Sequence, residues 1–138
     1  SNAQLMILTE LPVIVADRTR INQVFTNLLA NAVKYCDKPM VEIAVSAKKS
    51  EGGWVFSVKD NGPGIDARFH EKVFVIFQTL QRRDAFESTG VGLAIVKKII
   101  EDQGGKVWVE SEVGAGADFC FFWPDRPKTF NSRLGLAA

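Results

Sequence analysis

Two short apolar runs open the chain, Leu5 to Leu8 and Pro12 to Val15, and both read as strands. Asp17 follows as a helix N-cap, because its carboxylate can accept from the unbonded N–H groups of a first turn. Ile21, Val24, Phe25, Leu28, Leu29, Ala32 and Val33 then recur at helical spacing, which predicts an amphipathic helix ending near Tyr35, before "CDKP". Val41 to Lys48 alternates apolar and polar, with Val41, Ile43 and Val45 on one face. "EGG" turns the chain and Trp54 to Lys59 alternates again, with Trp54, Phe56 and Val58 together, so a hairpin is expected. Residues 66 to 78 read as short helical turns and 79 to 89 as a polar loop. Val91 to Asp102 is a second amphipathic helix with Ile95, Val96, Ile99 and Ile100 inward, stopped by Gly104-Gly105. Lys106 to Ser111 and Asp118 to Trp123 are two more strands around the Gly-rich "EVGAG".

Strands and helices are partly segregated along the chain rather than strictly alternating. That pattern predicts an α+β domain: a two-layer α/β sandwich, with a mixed sheet of about five strands and helices on one face.

The chain has 138 residues, 46% of them hydrophobic and 24% charged, with net charge +1, enough for one domain with a proper core. So even a charge balance argues against nucleic acid or an anionic membrane surface as partner. No apolar run is long enough to span a bilayer. Cys36 and Cys120 make neither a disulfide framework nor a metal spacing, and a reducing cytoplasmic setting is the default expectation. Ser1-Asn2-Ala3 reads as the scar of a cleaved expression tag, residues 4–124 as the domain, and residues 125–138 as a flexible tail.

The first helix raises a question of chemistry. Asn competes with the backbone for hydrogen bonds and forms helices poorly, yet Asn27 and Asn31 sit four apart in "NLLANAVKY". On a wheel of about 100° per residue, Gln23, Asn27, Asn31 and Lys34 share one polar face opposite the apolar one. A solvated surface is one account of that face. The other is a floor for a metal-bound polyphosphate, since amide oxygens suit Mg²⁺ and a lysine one turn on is a point charge for phosphate.

Two further segments carry chemistry. "DNGPGI", Asp60 to Ile65, is either an ordinary strand-exit turn or a close backbone approach to a flat ligand at Gly62 and Gly64, with Asp60 as acceptor for an exocyclic amine. In "STGVGLAIVKKI", Gly90 and Gly92 stand where a loop enters a helix, the kind of N-terminus that binds anions or simply starts with glycine. Neither segment is a Walker A loop or a G-x-G-x-x-G fingerprint. His70 reads as a surface residue on a short helix rather than a phosphoacceptor, and Phe74 and Phe77 as core.

Taken in order, "NLLANAVKY", "DNGPGI", the Phe pair and "TGVGLAIVKKIIEDQGGKVWVESEVGAGADFCF" resemble the N, G1, F and G2 boxes of the ATP-binding catalytic domain of sensor histidine kinases. This is the GHKL or Bergerat-fold superfamily, shared with DNA gyrase B and the heat-shock chaperone ATPase. The resemblance runs from about Leu11 to Trp123 and is nearest to phytochrome-type kinases in the lid. It implies Asn31 as the Mg²⁺ ligand with Asn27 beside it, Lys34 on phosphate, and Tyr35 against ribose and adenine. Asp60 matches the acceptor for the adenine amino group, with Gly62, Gly64 and Ile65 lining the base. Thr89, Gly90, Val91, Gly92 and Leu93 match the lid hinge and helix start that wrap the phosphates, with Phe77 and Arg83 nearby.

The implied function is the catalytic half of a two-component kinase, holding Mg-ATP for transfer to a histidine on a separate dimerisation domain and thence to a response regulator. No nucleic acid and no direct membrane contact are implied. Gyrase-like ATPases carry Glu at Asn27 as the base that activates water; an amide cannot take that proton, so poor hydrolysis is expected. An anti-sigma-type serine kinase usually has that Glu as well. Three departures from the family pattern bear on lid closure and turnover more than on binding: Ser88 for the first lid glycine, Thr79 for an arginine (leaving Arg82 and Arg83 as nearby cations), and "VFVIFQ" in the Phe box. The Ser88 and Thr79 departures keep open a nucleotide sensor that binds without transferring. A docking module around Phe74 and Phe77 would bind no nucleotide.

Overall fold

The computed structural model describes residues 2–75 and 92–128. Five strands, β1 (Asn2–Ile7), β2 (Met40–Ser50), β3 (Gly53–Asp60), β4 (Lys106–Ser111) and β5 (Ala117–Pro124), form one sheet in the order β1-β2-β3-β5-β4. β1 runs parallel to β2, and every other pairing is antiparallel, so the sheet is mixed as expected. Two α-helices, α1 (Arg18–Lys34) and α2 (Gly92–Asp102), and two 3-10 turns, Ala67–Phe69 and Lys72–Phe74, make up the helical layer among the described residues.

Strand alternation decides which side chains meet the helices. Val45, Val58, Phe119 and Val109 lie in one row across β2, β3, β5 and β4, and Ala47, Phe56, Phe121 and Val107 in the next. Val24, Leu28 and Ala32 of α1 and Val96, Ile99 and Ile100 of α2 are buried in the same core as these rows. Phe25 meets Phe56 and Phe121 edge-on at 5.9 and 5.6 Å, while those two rings stack at 5.0 Å. Phe74 is core too, edge-on to Phe119, while Phe77 falls outside the described residues.

Local chemistry sets the boundaries. The Asp17 side chain accepts from the N–H of Thr19 at 2.9 Å and of Arg20 at 3.2 Å, starting α1. α2 ends where Gly105 N–H reaches the Ile100 carbonyl and Gly104 N–H that of Glu101, with Gly104 at φ +90°, which favours glycine. Lys34 is the last residue of α1 and a two-residue turn closes the β2–β3 hairpin.

The structure departs from the sequence reading in one strand. Pro12 to Val15 is not a strand; it is the chain's path from the sheet edge to α1, held by Trp123 Nε1 donating to the Val15 carbonyl at 2.9 Å. Asn2 and Ala3 are part of β1, opposite Met40 and Val41. The chain past β5 is docked as far as it is described: Asp125 N–H reaches Gly52, Lys128 N–H reaches Gln103, and Pro127 is buried.

Candidate functional site

Asn27 and Asn31 are half-buried on one flank of α1, beside the packed Val24, Leu28 and Ala32 stripe. Lys34 follows on that flank, exposed, its ammonium 5.9 Å from the centre of the Tyr35 ring. The Asn27 amide oxygen lies 3.5 Å from where a β-carbon on Gly92 would stand. Hence Asn27 faces the first residue of α2. Leu93, next along, packs against the core.

Asp60 ends β3 with the parity of Phe56 and Val58, so it points to the helical side of the sheet. Its Oδ1 accepts from Gly62 N–H at 2.9 Å and from Ala117 N–H at 3.2 Å. Burial raises its carboxyl above the ordinary carboxylate range; the two backbone donors oppose that shift, Asp118 adds to it, and Lys38 counters it. Both of these backbone bonds fall on the same carboxylate oxygen.

The turn after Asp60 rests on the β4–β5 turn, backbone on backbone. Gly64 (φ +79°) and Gly116 (φ +76°) both adopt the left-handed conformation. A β-carbon on Gly64 would overlap the Glu112 carbonyl, and one on Gly116 the Asp60 carbonyl. Gly114 N–H reaches the Pro63 carbonyl at 2.6 Å. Ser111 Oγ accepts from Ile65 N–H at 2.8 Å and donates to the Gly116 carbonyl at 2.6 Å. His70 Nε2 is 2.8 Å from the Ile65 carbonyl and must carry the proton there, because a carbonyl only accepts. The histidine is therefore a strut of this turn.

A third segment closes on the same turn. Tyr35 and Cys36 lie against Gly62. Asn61 accepts from Glu42 N–H at 2.9 Å and donates to the Met40 carbonyl at 3.0 Å, and Lys38 Nζ donates to the Asn61 carbonyl at 2.8 Å.

The structure thus brings Asn27 to the start of α2, with Asn31 one turn along the same flank of α1, and Tyr35 to the turn that holds Asp60, Gly62, Gly64 and Ile65. Phe77, Arg83, Thr89, Gly90 and Val91, with Thr79, Arg82 and Ser88, lie outside the described residues. On the opposite sheet face Glu110, Asp118 and Cys120 come within 4.8 Å of one another. There Trp108 Nε1 donates to Glu110 and Ser57 to Asp118, while burial, first, and the two carboxylates raise the Cys120 thiol away from the thiolate a metal needs.

Residues 16–127 match the family described as histidine kinase-, DNA gyrase B- and HSP90-like ATPase. The chain belongs to this family. Among curated relatives, the ATPase domain is 49% identical over 114 residues to cyanobacterial phytochrome A of Nostoc sp., covering 83% of this chain and 15% of that protein. It is 44% identical to the methanogenesis regulatory histidine kinase FilI of Methanothrix harundinacea, covering 82% and 13%. The chain therefore spans a small part of the length of these relatives. Among solved structures, full-length ShkA in complex with AMPPNP superposes with a TM-score of 0.75 at 32% identity, covering 91% of this chain and 26% of that one. The nucleotide-free catalytic domain of histidine kinase ThkA gives 0.72 at 34% identity, covering 92% and 81%. This is an ATP-binding domain of the sensor-kinase type, and no described helix is long and apolar enough to cross a membrane.

Ser111, Gly116, Ala117, Asn61, Lys38 and His70 of the ATPase domain were not singled out by sequence as parts of the site. "EVGAG" carried the only signal: paired glycines between two strands mark a place where backbones can approach.

Proposed function

We propose that this domain binds Mg-ATP and presents its γ-phosphate to a histidine on a separate dimerisation domain, as the catalytic half of a two-component sensor kinase. The observation that carries the reading is Asp60: a half-buried carboxylate fixed by two backbone donors on one oxygen, at the helical end of the sheet. Such a group selects an adenine amino donor, because a carbonyl at that position of a base would meet a second acceptor. Tyr35, Gly62, Gly64 and Ile65 line the base. Asn31, with Asn27 beside it, supplies neutral oxygens for magnesium without repelling triphosphate, and Lys34 meets phosphate. The two half-buried amides on one flank of α1, with Asn27 beside the glycine that starts α2, fit that role. Thr89, Gly90, Val91, Gly92 and Leu93 complete the phosphate side, with Phe77 and Arg83. Bound magnesium offsets polyphosphate charge; the protein's own part is positioning. The phosphoryl group then passes to a response regulator.

Asn27 sets this reading apart from a hydrolytic ATPase, since an amide cannot serve as the base for water. The test is calorimetric titration with AMPPNP, with and without Mg²⁺, followed by phosphorylation of a histidine-bearing helical hairpin from a relative. Saturable, magnesium-dependent binding and label on the hairpin are expected. No binding up to millimolar analogue overturns the nucleotide reading, and binding without transfer makes the domain a sensor.

A further inference from the structure

We propose that Lys38 is a positioning residue for Asp60: its ammonium clamps the loop after α1 onto the Asp60–Gly62 turn and holds the base-accepting carboxylate against the phosphate-binding helix. The proposal rests on the reading of Asp60 as the adenine acceptor.

The geometry is a bridge between the two halves of the site. α1 carries Asn27, Asn31 and Lys34 and ends at Lys34; the loop that follows must turn back into β2 at Met40. Lys38 stands in that loop and reaches across to the carbonyl of Asn61, the residue that follows Asp60, at 2.8 Å. The Asn61 side chain is bound to the start of β2 through Glu42 N–H and Met40 O, so it is taken up in holding the turn. Gly62, one residue on, gives one N–H to Asp60 and packs against Tyr35 and Cys36 of the same loop. Lys38 thus adds a charged contact to the neutral ties between the loop and the Asp60 turn.

Its charge acts on Asp60 as well. Asp118, next to Ala117 in β5 but on the other sheet face, disfavours the ionised form of Asp60; from the α1–β2 loop, Lys38 favours it; β2 presents Ile43 and the β4–β5 turn presents backbone. Among the charged groups that act on Asp60, Lys38 is the one that opposes Asp118. Its side chain is about half exposed, and Asp37 lies 3.5 Å from the same ammonium. A substitution there is therefore tolerated by the fold.

The experiment measures AMPPNP affinity against pH for the wild-type domain, Lys38→Met, Lys38→Arg and Asp60→Ala, with thermal midpoints as the folding control. The nucleotide's own titration is common to all four and cancels in the comparison. Lys38→Met should bind about threefold to tenfold more weakly at neutral pH, the scale of one lost hydrogen bond. Its affinity should also fail at a higher pH on the acid side, because the carboxylate has lost its favourable charge. Lys38→Arg should restore both. Unchanged affinity and an unmoved acid limb in Lys38→Met overturn the proposal, and so does an affinity loss with the acid limb unmoved or not restored by arginine. Asp60→Ala separates the two layers of argument. If it loses the preference for ATP over GTP while Lys38→Met has no effect, the base assignment stands and the positioning role falls. If it keeps that preference, the base assignment falls and takes the positioning role with it.

Discussion

Gly64 packs so closely on Glu112 that a β-carbon would overlap the Glu112 carbonyl oxygen, at a residue whose φ of +79° already favours glycine. Two costs coincide there, backbone strain and a clash with a main-chain atom that cannot swing away. Gly64→Ala should therefore lose at least about 2 kcal/mol of unfolding free energy in urea. A variant as stable as the wild type would show that the two turns do not meet in solution.

Asp60→Asn separates stability from recognition. The folded-state carboxyl lies above its ordinary value, so the folded protein keeps this proton at a pH where the unfolded chain has released it. Stability from this group is thus fullest below the unfolded value and declines as pH rises through the folded one. Asn keeps an oxygen for Gly62 and Ala117 and carries no charge. The variant should melt no lower than the wild type at neutral pH, with its stability flatter across the mildly acidic range. Adenine nucleotide affinity should fall steeply, since the amide can turn a donor toward the base. Melting curves and calorimetry on one preparation check both halves.

Asn31→Ala addresses the metal. The side chain is half-buried on a flank that bears no part of the α1 core stripe, so the fold should survive its truncation. AMPPNP binding should lose most of its response to added Mg²⁺ while magnesium-free binding changes little. A magnesium response equal to the wild type would move the metal site off this helix.

Leu28→Ala tests the scaffold beneath the site. Leu28 is almost wholly buried between the two asparagine positions, on the face that meets the sheet. Its truncation should cost about 2–5 kcal/mol of stability by denaturant titration. Affinity measured well below the melting range should change little, because no ligand-facing atom is removed.

The helices were legible because their signals are local. Asp17 is a cap by its own chemistry, Val24, Leu28 and Ala32 repeat at helical spacing, and Gly104-Gly105 stops α2 in the conformation that glycine favours. The alternation of Val41, Ile43 and Val45 against Phe56 and Val58 likewise gave the hairpin. Asp60 was legible as a carboxylate that needed partners, but not which partners: Ala117 N–H comes from 57 residues away. Ser111 and Gly116 were hidden for the same reason, since their role lies in contact between two turns and no periodicity records it. Pro12 to Val15 misled because a short apolar run looks the same whether it pairs in a sheet or merely lies along one.

The strand order carries a kinetic consequence. β2–β3 and β4–β5 are pairs of chain neighbours that can form early and independently, whereas β3 and β5 join only after the long intervening segment closes. Asp60 stands at the end of β3 and its partner Ala117 at the start of β5, on either side of that seam. The step that zips the two halves of the sheet is therefore the step that assembles the acceptor, and in a refolding experiment nucleotide-binding competence should emerge with the slowest structural phase rather than ahead of it.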